Sequence, residues 1–208
     1  MGVRETESCR NDLERVLRRL VGEVGFIRIG DERQFPFGWR KAAKGRTVWR
    51  LVEETVSQTL EANAEEFGLD EFRPSVGEVS IYDFSYSKDR TPVFINVKSA
   101  VAGRAPSKDD ISKARLIRTF FATHPDCVFL IATIEIGFSE KPFGLNLTNA
   151  YVVPLTWLPD IYVNPSNNGN LQSSRYKDIA GMVHRTNTEF IIELEREIKN
   201  ADRKRGLK

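Results

Sequence analysis

Residues 79–100 read VSIYDFSYSKDRTPVFINVKSA. Two runs in this stretch, Val79–Tyr86 and Val93–Val97, are rich in β-branched and aromatic residues, and Ser87-Lys88-Asp89-Arg90 supplies a turn before Thr91-Pro92. This composition predicts two strands. Alternate residues of a strand share a face, so Asn96 and Lys98 point one way while Ile95 and Val97 point into the core. Thirteen residues separate Asp83 from Asn96, enough for two short strands and a turn, so pairing as a hairpin brings Asp83 close to Asn96 and Lys98.

That trio has a chemical logic. Phosphodiester hydrolysis uses a divalent cation to neutralise phosphate charge and to lower the pKa of an attacking water. Hard cations such as Mg²⁺ take oxygen ligands, commonly one or two carboxylates with water and substrate oxygens. A nearby lysine orients the nucleophile and offsets developing negative charge. Asp83 and Asn96 are therefore the candidate metal ligands, and Asp83, Asn96 and Lys98 the candidate catalytic residues. Asn96 offers an oxygen without a charge, which lowers the expected Mg²⁺ affinity. A carboxylate is nearly the same size, so Asn96→Asp is expected to leave the fold intact and to raise metal-dependent cleavage.

Outward from this stretch the periodicity changes. Leu13, Val16, Leu17, Leu20, Val21 and Val24 recur at three- and four-residue steps and predict a helix over 9–24. Residues 25–44, with Gly25, Gly30, Pro36 and Gly38, read as a loop. A second helix follows a possible Thr47 cap, with Val48, Val52, Val56, Leu60 and Ala64 as its apolar stripe and an end near Gly68. Ser107 and Asp110 resemble a capping box opening a helix that runs to about His124. Cys127–Ile136 reads as a central strand, Tyr151–Leu155 as another, residues 164–174 as a polar loop, and Thr188–Arg203 as a last amphipathic helix. This order predicts an α/β fold, a mixed central sheet flanked by helices, in a single domain spanning 1–208 with a catalytic core at about 46–155.

Composition narrows the classes. The chain has 208 residues, 40% hydrophobic and 29% charged, which suits a folded globular domain. The longest apolar run, Cys127–Ala132, is far short of a bilayer span, and Met1–Arg10 lacks a secretory segment, so a cytoplasmic location and no membrane are expected. Two cysteines and two histidines, widely separated, argue against a disulfide framework or a structural zinc site. Net charge is only +2, but bases cluster at Arg40–Arg50, Lys98–Arg118 and Arg203–Lys208 while acids gather at Glu61–Glu71, a segregation able to build a cationic groove. There is no phosphate-cradling glycine loop and no nucleophile triad.

Phe94-Ile95-Asn96-Val97-Lys98-Ser99-Ala100, preceded by Asp83, resembles the PD-(D/E)xK nuclease superfamily, with Asn96 where that family has a carboxylate. From about residue 41 to the end the chain resembles type II restriction endonucleases of the SwaI kind. The supporting pieces are Lys44-Gly45-Arg46-Thr47 before the long helix, strand–helix–strand order after the lysine, the Asn164-Pro165 loop, and His184-Arg185-Thr186-Asn187-Thr188-Glu189-Phe190-Ile191 before the last helix. The resemblance implies a Mg²⁺-dependent homodimer cutting double-stranded DNA at a short palindrome, a two-fold protein on a two-fold site. It also implies a supporting acid from the long helix, for which Glu54, beside Glu53, is the candidate, with Glu78 a further possibility. The other reading is a non-catalytic, sequence-specific DNA-binding relative, to which Asn96 lends weight.

Candidate DNA contacts follow from residue type. Lys41, Lys44 and Arg46 precede a helix N-terminus, which suits phosphate. Asn164, Asn167, Asn170 and Gln172 carry amides able to pair with base edges. Phe35, Phe37 and Trp39 suit a groove probe or, more commonly, packing.

Overall fold

The computed structural model describes residues 1–39, 48–75, 77, 80–104, 109–166, 169–173 and 178–206. Lys41, Lys44, Arg46, Thr47, Glu78, Ser107 and Asn167 lie outside the described residues.

A six-stranded mixed sheet forms the middle layer. Its strands are β1 (Phe26–Gly30), β2 (Asp70–Pro74), β3 (Phe84–Lys88), β4 (Thr91–Val101), β6 (Val128–Glu140) and β7 (Phe143–Pro154), in the order β1-β7-β6-β4-β3-β2. Only β4 and β6 run parallel, and the crossover between them holds β5 (Asp109–Lys113) and helix α3 (Ala114–Thr123). Helices α1 (Val3–Val24) and α2 (Val48–Ala62) cover one face, where Leu13, Leu17, Val52 and Val56 share one buried core with Val93, Ile95 and Val97. On the other face α3 and α4 (Asn187–Lys204) pack Ile117, Phe121, Phe190 and Leu194 against Phe94, Phe129 and Ile131. Val93–Val97 is buried throughout, as the strand of a sheet covered on both faces must be.

The expected hairpin is present, with Phe84 opposite Ile95 and a two-residue turn at Asp89-Arg90. Both turn residues have positive φ, 48° and 68°, as the tight hairpin turn whose twist matches its strands requires. The first strand is shorter than expected. It starts at Phe84, and Ser80–Asp83 is irregular, because Ile81 turns toward the α3/α4 core while Ser75 N–H reaches the Asp83 carbonyl at 2.8 Å.

Elsewhere non-local pairing overrides local pattern. Residues 109–113 form strand β5, not the start of a helix, since they pair with β9 (Asn170–Ser173) in a second sheet of order β5-β9-β8, where β8 is Tyr162–Val163. The helix starts only at Ala114. Part of the glycine-containing segment after α1 is likewise strand β1, paired with the start of β7. Trp39 and Phe35 stack on Phe143, which accounts for two of the three aromatics there by packing. The His184–Ile191 segment begins α4: Thr186 and Glu189 form a reciprocal capping box, and Arg185 pairs with Glu193 at 2.8 Å.

β1 covers only the start of β7, and α1 closes the rest of that edge with side chains. Arg10 Nε donates to the Val152 carbonyl at 3.0 Å, and Val152 N–H donates to Glu14 at 3.3 Å. Glu14 is paired with Arg10 and, at 2.7 Å, with Arg18. A polar triad on a helix thus takes the place of a strand neighbour.

Candidate active site

β4 changes character along its length. On the α3/α4 face Phe94 is packed among aromatic rings, but the next residues on that face are Asn96 and Lys98. The same change occurs beside it: on β6 Phe129 and Ile131 give way to Thr133 and Glu135, and on β7 Val153 gives way to Tyr151 and Asn149. The polar residues lie toward the C-terminal ends of the parallel pair β4 and β6, where α/β sheets commonly carry their sites.

Asp83 stands at the start of β3, opposite this polar end. Its N–H donates to the Ile95 carbonyl at 2.7 Å, and its Oδ2 accepts from Val97 N–H at 2.6 Å. Burial raises its pKa above the usual carboxylate value, while the Val97 N–H and the Lys98 charge pull it down.

The helix acid that joins this group is Glu53. Burial, then the neighbouring Asp83 charge, pushes its pKa up to about 7, with Lys98 and Arg50 opposing. Glu54 lines the same open cleft of about 1150 Å³, together with Arg50, Ser57, Tyr82 and Asp83, but it is exposed and accepts from Gln58 at 2.6 Å. The sequence left the two adjacent acids unresolved and favoured Glu54. The apolar stripe did not separate them; the packing of α2 on the sheet leaves Glu53 half-buried and Glu54 exposed.

Asn96 is 8% exposed. Its Nδ2 donates to the Ile81 carbonyl at 3.0 Å, and its Oδ1 is buried without a hydrogen-bond partner. A buried, unpaired oxygen can accept a bond from a water or coordinate an ion. Among the described residues no three His, Cys, Asp or Glu side chains come together as a metal cage. The oxygen set here is two carboxylates and an amide, which fits the sparse way proteins hold Mg²⁺ better than a closed cage. It also fits electrostatically, since a cation would relieve the repulsion between Glu53 and Asp83.

The proposed base-reading amides are engaged within the protein. Asn170 Nδ2 and Gln172 Nε2 both donate to Asp110, at 3.0 and 2.7 Å, across β5 and β9, and Asn164 Oδ1 accepts from Ser166 N–H at 2.9 Å. They lie apart from Asp83 and Lys98 in the fold, on and beside the second sheet. Among the described residues no helix is long and apolar enough to cross a membrane.

No family model matches the chain, and no curated protein matches it. Among solved structures it is similar to the NlaIV restriction endonuclease, with 13% sequence identity, 76% of each chain covered and a TM-score of 0.42. The reading of the site rests on its own residues.

Proposed function

We propose that this chain is a metal-dependent endonuclease acting on double-stranded DNA. The observation that carries the reading is the convergence of Glu53, Asp83 and Lys98 at the polar end of β4, with the unpaired Asn96 Oδ1 on the same strand. Asp83, Asn96 and Glu53 are the residues that would hold Mg²⁺, which when bound supplies phosphate charge neutralisation and an activated water. Lys98 balances the charge of both carboxylates and offers an ammonium to the phosphate that is cut. Val97 N–H fixes the direction of one Asp83 oxygen, so the site is oriented before substrate arrives.

The resemblance of the motifs to restriction endonucleases of the SwaI kind extends the proposal to a cytoplasmic homodimer cutting a short palindrome, with Lys41, Lys44 and Arg46 on phosphate. The test is incubation of the purified protein with supercoiled plasmid and Mg²⁺ or Mn²⁺. Discrete fragments, lost in Lys98→Ala with DNA binding retained, support the reading. Cleavage by Lys98→Ala at the normal rate removes the site. A second reading, a DNA-binding relative that does not cut, is favoured by Asn96 in place of a carboxylate. It is the outcome if specific binding occurs with no cleavage under either metal.

A further inference from the structure

Phe121 of α3 packs edge-on against Phe190 of α4, and Arg115 pairs with Asp202 at 2.6 Å, so the two helices run antiparallel. Beside these contacts their outer face is open. A hollow of about 460 Å³ lies there, lined by Phe121, Ala122 and Ile191 together with Ile192, Arg118 and Glu195. Ile192 is 65% exposed, a large apolar side chain standing out of the surface next to an apolar depression. Arg118 and Glu195 are half-buried, and among the described residues neither side chain has an ion pair or a hydrogen bond. Their neighbours Arg115 and Glu193 are both paired. A charge partly withdrawn from water and left without a partner is a cost that an opposite charge from outside would offset.

We propose that this hollow is the face on which two copies of the chain meet. The surface is complementary to itself. It offers an apolar knob, Ile192, beside an apolar hole, and a base, Arg118, beside an acid, Glu195. A two-fold axis sets each of these against its counterpart, because residue i of one protomer meets residue j of the other and j meets i. Ile192 then enters the hollow of the second protomer, and Arg118 faces the partner's Glu195. The result is an apolar centre closed by a charged rim, the usual build of a protein interface. An unrelated partner would need its own matching base, acid and apolar knob; a second copy brings all three by symmetry. The hollow shares no residue with the cleft of Arg50, Glu53 and Asp83, which α2 lines from the opposite face of the sheet. The nuclease reading expects a dimer; the assignment of this face goes beyond it and rests on the hollow alone.

The experiment is sedimentation velocity on the full chain, without DNA or metal, from about 1 to 100 µM, a range that spans a micromolar Kd. Wild type is expected to pass from monomer to dimer. Ile192→Glu, at an exposed position, should raise the dimer Kd about 100-fold or more and leave the circular dichroism spectrum unchanged. Arg118→Glu and Glu195→Arg each set like charges against one another across the axis, so each alone should dissociate the dimer. An equimolar mixture of these two variants should pair again, because every contact in the mixed dimer joins opposite charges. Recovery in the mixture arises only from contact between protomers, not from repair within one. A wild type that stays monomeric throughout overturns the inference. So does a dimer that Ile192→Glu and both charge reversals leave intact, since the subunits then meet on another face, and so does a mixture of the two reversals that stays monomeric. Should Ile192→Glu fail to fold, the two charge reversals and their mixture decide alone. Plasmid cleavage enters none of these arms: a chain that pairs through this face and cuts nothing loses the nuclease reading and keeps the interface.

Discussion

Val97 N–H donates to Asp83 Oδ2 at 2.6 Å while the Asp83 N–H donates to Ile95 one strand over, so the acid is clamped to β4 through both side chain and backbone. An amide oxygen can accept the Val97 bond as a carboxylate does, but it brings no charge. Asp83→Asn is therefore expected to keep a melting temperature near that of wild type and to lose cleavage. Asp83→Ala, which leaves the Val97 N–H of a buried strand unpaired, should lose cleavage and also about 1–3 kcal/mol of stability. Thermal melts of both variants beside plasmid assays check this; equal melting points for Asn and Ala would contradict the clamp.

Glu53 and Glu54 are adjacent, but Glu53 is half-buried near Asp83 and Lys98 while Glu54 is exposed. Glu53→Gln should reduce cleavage by about 100-fold or more, whereas Glu54→Gln, which disturbs an exposed bond to Gln58, should cost less than about threefold. The reverse ranking in single-turnover cleavage would move the supporting acid back to Glu54.

The raised pKa of Glu53, about 7, has a definite sign in solution. In the metal-free protein the folded state holds this proton more tightly than the unfolded chain. Stability from this group is present below pH 4.5 and is lost progressively as pH rises toward 7. Glu53→Gln should flatten that part of the pH–stability curve. A bound cation favours the ionised form, so Mg²⁺ affinity should rise between pH 6 and 8 and its binding should release protons at pH 7. Calorimetry in two buffers of different ionisation enthalpy measures the release; zero net protons would count against Glu53 at the metal.

Asn96 donates to the Ile81 carbonyl, which a carboxylate cannot do. The sequence-based expectation that Asn96→Asp leaves the fold untouched is therefore revised. In the metal-free state the substitution sets a buried charge against a carbonyl oxygen and should destabilise by about 1–3 kcal/mol. Mg²⁺ should raise the melting temperature of Asn96→Asp more than that of wild type. A variant as stable as wild type without metal, and no more responsive to it, would show that Asn96 Oδ1 does not face a cation.

Glu14 joins Arg10, Arg18 and the Val152 N–H along the outer edge of β7. Removing Glu14 leaves the largely buried Arg10 and the Val152 N–H unmatched while Arg18 stays half exposed, so Glu14→Ala should cost about 3 kcal/mol in denaturant unfolding. A loss under about 1 kcal/mol would mean that the edge is closed without it.

Several elements were written locally. The stripe Val48, Val52, Val56 and Leu60 is buried as a helix face, Ile95 and Val97 point into the core, and Asn96 and Lys98 share the other face. Local writing suffices there because an apolar period or a strand alternation has one way to bury itself. The sequence also brought Asp83 close to Asn96 and Lys98 by pairing the two runs, but it read the turn as four residues; the register, with Phe84 opposite Ile95, comes with the two-residue turn at Asp89-Arg90.

What the tertiary structure alone decided depends on distant partners. Residues 109–113 became a strand because β9, some sixty residues later, supplies their hydrogen bonds. β1 formed because the start of β7 offered a free edge. The choice of Glu53 over Glu54 depends on where α2 lies across the sheet, which no single-helix pattern contains. The polar end of β6 at Thr133 gave no signal in its own segment, for its neighbour Lys98 is set by the parallel register of β4 on β6. Periodicity reports which side of an element is dry; only packing reports what stands opposite, and the chemistry of this site is made of residues that stand opposite one another.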